Sequence, residues 1–382
     1  MICIDDKKNC TGCHACYNVC PVKCISMEYD FEGFLYPFID SNKCINCNRC
    51  VQVCPVLNHN KNKDFHETVY AAYSKLKDIR QNSSSGGVFT HLAEYVLEND
   101  GVVFGAAFDA EFQVHHIQVD DIEDLKLLRG SKYVQSRIER TYEAAQNVLK
   151  GNKMVLFTGT PCQIDGLRLF LGRDYDKLYT QDLICHGVPS PAVWDRYLQT
   201  QIEQKQSHVK NICFRDKVNG WNKYSLTVEF DNKESVSDVF TVNPMMKAYL
   251  RDMCLRPSCY ECPSKGIKRS SDITLADFWN VQDYFLDLND NKGIDLVICH
   301  SQKGEELLNS IKGNLECRQG KLSMISTNLP LLQSPKRPAK RDNFIKDVLQ
   351  NNSFETEVDK YCSIPLTEKI STKIKLIIKK LF

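Results

Sequence analysis

The chain carries almost no net charge. Lysine and arginine number 49 against 48 aspartate and glutamate, leaving +1 on 382 residues. No basic run lies beside an aromatic cluster, so the electrostatic footprint of a nucleic-acid binder is missing. Long apolar runs are missing as well: nowhere do about 18 apolar residues follow one another, as a membrane-spanning helix requires. Met1 leads almost at once into cysteines, without the charged and apolar segments of a secretory signal, so a cytoplasmic protein is expected. Glycine never forms GxGxxG after a strand, and Gly159-Thr160-Pro161 lacks the Gly-Lys-Ser/Thr ending of a P-loop. Neither the usual nicotinamide site nor an ATP site is signalled.

Cysteine, by contrast, is abundant. Ten of the 19 cysteines fall within the first 54 residues, and eight of them spell CxxCxxCxxxCP twice: Cys10, Cys13, Cys16, Cys20-Pro21 and Cys44, Cys47, Cys50, Cys54-Pro55. Three thiolates at this spacing curl around one cubane, while the fourth, before proline, reaches the other repeat's cluster. Two [4Fe-4S] clusters are expected, one on Cys10, Cys13, Cys16 and Cys54, the other on Cys44, Cys47, Cys50 and Cys20. Zinc needs four ligands per site and leaves half of the repeat unexplained. Such ligand spacing, together with the missing signal, points to a reducing compartment rather than to disulfides.

A two-cluster module occupies only about 60 residues, so further domains with a real core must follow. The alternating stretch Ile25 to Asp40, broken at Glu32-Gly33, reads as a hairpin between the repeats. His59 to Asp64 reads as a linker. Strands are expected at Val69–Tyr73, Val102–Ala107, Met154–Thr158, Leu178–Ile184, Ile273–Ala276 and Leu296–Cys299, and helices at Val88–Leu97, Gln163–Leu171 and Ala192–Gln204. This is α/β texture. The fold class is therefore an α+β ferredoxin-like two-cluster domain followed by one or more α/β domains. The divisions are 1–60, 66–150, 151–330 and a tail over 331–382.

Two strand-loop-helix units place Cys162 and Cys185, 23 residues apart, at strand carboxyl ends, where open α/β sheets bind ligands. Farther on, Cys254, Cys259 and Cys262 form CxxxxCxxC in a polar loop. Cys259 and Cys262 anchor a third site, and Cys162 and Cys185 complete the expected ligand set, with Cys254 competing for the fourth position. A third [4Fe-4S] cluster, a zinc or redox dithiol site, and unliganded thiols are the open readings. Cys3, Cys24, Cys213, Cys299, Cys317 and Cys362 read as structural. His14 and His59 lie close to the cluster ligands and are expected at the surface.

Ser83-Ser84-Ser85-Gly86-Gly87 opens a helix and would suit a diphosphate through its hydroxyls and free amides, or would serve simply as a cap. Arg129-Gly130-Ser131-Lys132-Tyr133 offers two cations and an aromatic ring around a glycine, or a solvated turn.

Taken in order, the double cysteine repeat, Ser84-Ser85-Gly86-Gly87-Val88-Phe89-Thr90, Gly130-Ser131-Lys132-Tyr133, Gly159-Thr160-Pro161-Cys162-Gln163, Cys185-His186-Gly187-Val188-Pro189-Ser190-Pro191 and the late CxxxxCxxC resemble the coenzyme F420 hydrogenase/dehydrogenase beta-subunit family. The likeness runs to about residue 330. It implies an iron-sulfur flavoprotein with FAD in an α/β flavin-binding part, near Ser84, Ser85, Gly86, Gly87 and Thr90, near Gly130, Ser131, Lys132 and Tyr133, and near Thr158, Gly159 and Thr160. The implied function is an oxidoreductase joining a one-electron partner such as a ferredoxin to a two-electron small-molecule substrate, in a role that includes surface polysaccharide synthesis among bacterial members. Lys132 is then expected to orient a flavin carbonyl or a substrate oxygen, and His186 to donate a proton, with a loop-holding role as its alternative. An electron-transfer subunit without its own substrate site, and an F420-dependent oxidoreductase, are the other readings of the resemblance. A homo-oligomer is also compatible with it.

Finally, Ile370, Ile374, Ile377, Ile378 and Leu381 share one helical stripe opposite lysines. Such a tail suits peripheral contact with the inner face of a membrane, or packing on its own domain or another subunit.

Overall fold

The computed structural model describes residues 1–58, 67–326, 328–350 and 353–363; His59 and the basic tail over 368–382 lie outside them. Thirteen strands run through the described chain: β1 Ile25–Tyr29, β2 Leu35–Ile39, β3 Thr68–Ser74, β4 Val102–Phe108, β5 Val114–Val119, β6 Val155–Thr158, β7 Leu178–Leu183, β8 Val209–Asp216, β9 Ser225–Phe230, β10 Ser235–Val239, β11 Ile273–Asp277, β12 Asp295–Cys299 and β13 Leu315–Gln319.

The hairpin between the cysteine repeats forms as the alternation predicts. β1 and β2 pair antiparallel from Ile25 opposite Ile39 to Tyr29 opposite Leu35. Gly33 takes the turn at φ +77°, a conformation that costs glycine least.

Eight strands then make one mixed sheet in the order β13-β3-β12-β11-β7-β6-β4-β5. β4, β6, β7 and β11 run parallel at its centre; β4 and β6 are the short apolar runs that a strand covered on both faces requires, whereas β7 buries Thr180, Gln181 and Asp182. The outer strands pair antiparallel. β3, β4 and β5 from 66–150 and β6, β7, β11, β12 and β13 from 151–330 join this sheet, so the two segments share one hydrogen-bonded layer. The helices Val88–Glu98 and Gln302–Ile311 cover one face through Leu92, Val96, Leu307 and Leu308. Pro161–Leu171 and Thr141–Lys150 cover the other through Ile164, Leu167, Tyr142 and Ala145.

A second layer is built on the three-stranded sheet β10-β9-β8. The helices Pro191–Lys205, Pro244–Leu250, Arg341–Gln350 and Phe354–Cys362 pack with it around Trp194, Tyr197, Phe214, Phe230, Met245, Phe344 and Phe354. Residues 341–362 are thus not a loose tail where they are described: Phe344, Ile345, Val348 and Val358 are core. The sequence reading missed β8 to β10 because their alternation is interrupted by charged residues and by register shifts between Val209 and Asn211 and between Cys213 and Asp216.

Candidate functional site

In the cysteine repeats, left-handed residues alternate with thiols. Gly12 (φ +68°) and His14 (φ +60°) in the first repeat match Asn46 (φ +54°) and Asn48 (φ +56°) in the second. The chain therefore curls tightly enough for successive thiols to face one centre. Cys10, Cys13, Cys16 and Cys54 line one cavity, with about 340 Å³ of empty space, walled by Ile2, Ile4 and Val56. Cys20, Cys44, Cys47 and Cys50 line a second cavity of the same size nearer the surface, and Cys24 stands beside them with its sulfur 3.4 Å from that of Cys20. Each set is drawn from both repeats. It is the crossed pairing that the spacing predicts.

Cys162, Cys185, Cys259 and Cys262 line a third cavity, of about 510 Å³. Cys254 does not: it is fully buried in the apolar core with Met253 and Leu255. Cys162 lies in the first turn of its helix rather than in the preceding loop, because Thr160 and Gln163 form a capping box and Pro161 starts the helix. Lys265 and Arg269 also line this cavity. Burial pushes the Cys185 thiol up to about 11, against the pull of the Lys265 ammonium, and Cys13 and Cys259 up to about 12. Thiols so enclosed ionise only when a metal stabilises the thiolate.

The donor sets fit cubanes. Among the described residues, no three cysteine, histidine or acidic side chains converge closely enough to grip a single metal ion. The sulfurs surround a volume instead, which is the arrangement a cluster requires.

A far larger cleft, with about 2900 Å³ of empty space against 340–510 Å³ in the thiol cavities, opens at the carboxyl ends of the parallel strands, where Ala106, Thr158, Leu183 and Asp277 face it. Ligand sites of α/β sheets lie at this edge. Most residues expected around a cofactor meet here: Ser84, Ser85, Gly87, Gly130, Ser131, Lys132, Tyr133, Thr158, Gly159, Thr160 and His186. The backbone amide of Ser131 donates to Ser84 Oγ at 2.8 Å, tying the two loops together. Gly86 and Thr90 stand behind this wall rather than in it. A Cβ on Gly86 would come 2.5 Å from Ala72 O, so this glycine serves close packing onto β3.

The helix N-terminus after Gly87 is not free for a phosphate. The buried Asp295 carboxylate accepts from Gly86 N at 3.1 Å and Val88 N at 2.8 Å. Burial raises its pKa to about 6, offset in part by those two amides. Positive charge comes from side chains instead. Arg129 lines the cleft with a buried Nε that has no hydrogen-bond partner. Lys132 donates to Leu127 O at 2.9 Å and Arg129 O at 3.0 Å, and desolvation pulls its ammonium down to about 7. The volume, the orphaned guanidinium nitrogen and the aromatic wall of Tyr133, Tyr224, Phe240 and Trp279 fit a dinucleotide carrying a planar ring.

His186 lines both the cleft and the third thiol cavity. Its Nε2 lies 2.5 Å from Asp252 Oδ1 and its ring meets Tyr249 edge-on at 5.5 Å. His14 departs from expectation. It is buried, accepts from Glu139 N at 3.2 Å, and is driven down to about 3, chiefly by desolvation.

Sequence models of the coenzyme F420 hydrogenase/dehydrogenase beta subunit match this chain twice, the N-terminal part over residues 69–141 and the C-terminal part over 152–322. The chain belongs to this family. As a member of the F420 hydrogenase/dehydrogenase beta-subunit family it is an iron-sulfur protein of the oxidoreductase class, and 4Fe-4S dicluster models match residues 9–58 and 36–86. Among curated proteins nothing matches. One similar solved structure is a chain from xenon-derivatised F420-reducing [NiFe] hydrogenase complex of Methanosarcina barkeri, 18% identical, with a TM-score of 0.45, covering 77% of this chain and 90% of that one. No helix among the described residues is long and apolar enough to cross a membrane.

Some residues that organise the site in this family member carry no motif. Gly166, on the helix that bears Cys162, packs on the cysteine-repeat module: a Cβ there would lie 3.0 Å from Cys13 Sγ. Arg256, two residues after Cys254, reaches back to Cys10. Nothing in the spacing marks either one.

Proposed function

We propose that this chain is an iron-sulfur flavoprotein oxidoreductase that passes electrons between a one-electron partner, such as a ferredoxin, and a small molecule bound in the cleft. The observation that carries the reading is that the Cys10 cavity, the Cys162 cavity and the cleft share walls in series. Thr11 borders both the Cys10 cavity and the Cys162 cavity. Thr160, Gln163, Cys185, His186, Gly187 and Val188 border both the Cys162 cavity and the cleft.

The ligands would be Cys10, Cys13, Cys16 and Cys54; Cys20, Cys44, Cys47 and Cys50; and Cys162, Cys185, Cys259 and Cys262. FAD would lie along Ser84, Ser131, Tyr133 and Thr160, with Arg129 and Lys132 supplying charge for its diphosphate. When bound, the clusters carry single electrons and the flavin joins them to two-electron chemistry. Lys132 and His186 are the groups placed to orient oxygen atoms and hold protons at the cleft wall. Around the outer thiol cavity Met1, Val22 and Ile45 are exposed, a surface suited to a redox partner.

Anaerobic purification with iron, sulfide and flavin analysis tests the scheme. About twelve irons and one FAD per chain are expected, from three four-iron clusters. Cys185→Ser should lose about a third of the iron, whereas Cys254→Ser should keep it all. About eight irons without flavin would overturn the reading.

A further inference from the structure

Five arginines among the described residues are buried, and four have a carboxylate partner. Arg80 pairs with Asp290, Arg215 with Asp277, Arg269 with Asp182, and Arg341 with Glu32. The fifth is Arg256. It is 0% exposed, and no carboxylate among the described residues pairs with it. Its Nε donates to Cys10 O at 2.8 Å, Nη1 to Gln135 Oε1 at 2.8 Å and Nη2 to Leu35 O at 2.9 Å. Nη2 also points at Cys10 Sγ from 3.6 Å. The rings of Tyr36 and Phe34 flank the guanidinium at 4.2 and 5.2 Å.

Neutral acceptors satisfy the hydrogen bonds but leave the charge uncompensated, and a buried cation without a counter-charge is strongly disfavoured. A group able to turn negative lies beside it: Cys10 Sγ, 3.6 Å from Nη2 and part of the Cys10 cavity. Four thiolates around a cluster leave a net negative charge on the assembly, and that charge would sit directly against Arg256. The surrounding chain accommodates this arrangement. A Cβ on Gly12 would come 2.8 Å from Nη1, and Arg256 O accepts from Cys259 N at 2.9 Å, so one residue spans the first and third thiol sites.

We propose that Arg256 is the built-in counter-cation of the cluster held by Cys10, Cys13, Cys16 and Cys54, and that it sets that cluster's reduction potential. The inference rests on the cluster assignment proposed above. Reduction adds one negative charge to the cluster. A fixed cation hydrogen-bonded to a ligand sulfur stabilises the reduced form and raises the potential. Arg256 acts through Cys10 and is a positioning residue.

The test is a redox titration of the holoprotein, followed by electron paramagnetic resonance, in wild type and Arg256→Gln. One wave should move to more negative potential and the outer cluster's wave should hold. Waves superimposable on wild type at full iron content would overturn the proposal. A second measurement does not depend on the variant folding: electron spin-echo modulation of reduced protein carrying 15N-labelled arginine, in an Arg49→Lys background because Arg49 lines the outer cavity. Nitrogen modulation on the Cys10 cluster is expected, apart from any that Arg269 gives the third cluster, and its absence from the Cys10 cluster would overturn the proposal. Iron and sulfide analysis of the wild type comes first, so failure of the cluster assignment itself is seen separately.

Discussion

Glu32, in the turn between the two strands of the cysteine-repeat hairpin, and Arg341, at the start of a helix 309 residues later, form a buried two-pronged ion pair. Arg341 also donates to Leu255 O and Tyr260 Oη, while Glu32 O accepts from Ser190 Oγ and Ala192 N. The cysteine-repeat module is therefore clamped to the body at a point where both charges are dry.

Breaking one side of that pair leaves the other charge buried. Arg341→Met or Glu32→Gln alone should cost about 3–5 kcal/mol, while the double variant should recover a large part of it. Urea denaturation checks this. A loss below about 1 kcal/mol for either single variant would mean that the pair behaves as a surface bridge.

Gly166→Ala should loosen the contact with Cys13. The added methyl would meet Cys13 Sγ at 3.0 Å and Tyr142 Oη at 3.1 Å, both packed in the core, where overpacking costs about 1–3 kcal/mol. Thermal unfolding and iron content read this together. The iron lost should come from the Cys10 site, leaving the other two spectra intact.

On the proposed flavoprotein reading, Lys132 should make flavin retention depend on pH. Desolvation holds its pKa at about 7, so the ammonium is charged below that value and neutral above it. FAD affinity, measured by fluorescence quenching from pH 6 to 9, should weaken as pH rises through about 7, and Lys132→Met should flatten the profile. Stability should move the other way. The unfolded chain binds more protons between about 7 and 10.5, so this lysine makes folding more favourable as pH rises through that window.

Asp295 has the opposite linkage. Its folded pKa, about 6, lies above the ordinary 3.8, so the folded state binds more protons between those values and its contribution to stability falls as pH rises from about 4 to 6. Asp295→Asn should remove that slope. It would also turn an amide N–H toward Gly86 N or Val88 N, costing about 1–3 kcal/mol. Thermal denaturation from pH 4 to 7 shows both effects.

Much of the site was legible before any tertiary contact was known, because it is local. Cysteines three residues apart curl onto one centre, and the strands expected to end at Thr158 and Ile184 placed Cys162 and Cys185 at a ligand-binding sheet edge. The Ser83–Gly87 loop was recognised, but its free amides were not free: Asp295 is 207 residues away from Val88 in sequence and no pattern pairs them. Histidine near a cluster reads as surface until the segment through Glu139, just before the helix Thr141–Lys150, meets the buried His14.

The sequence by itself determined which thiols form the repeats, that buried strands and helices would give an α/β body, and which loops would face the cleft. Spacing and periodicity act within a few residues, and sequence reads them directly. Only the tertiary structure decided that Cys185 rather than Cys254 joins Cys162, Cys259 and Cys262 around one cavity. It also decided that the two α/β segments share a sheet, and that Arg256 lies against Cys10 without a carboxylate. Those outcomes depend on how charge and volume are balanced in a dry interior between segments hundreds of residues apart, and no local signal encodes that balance.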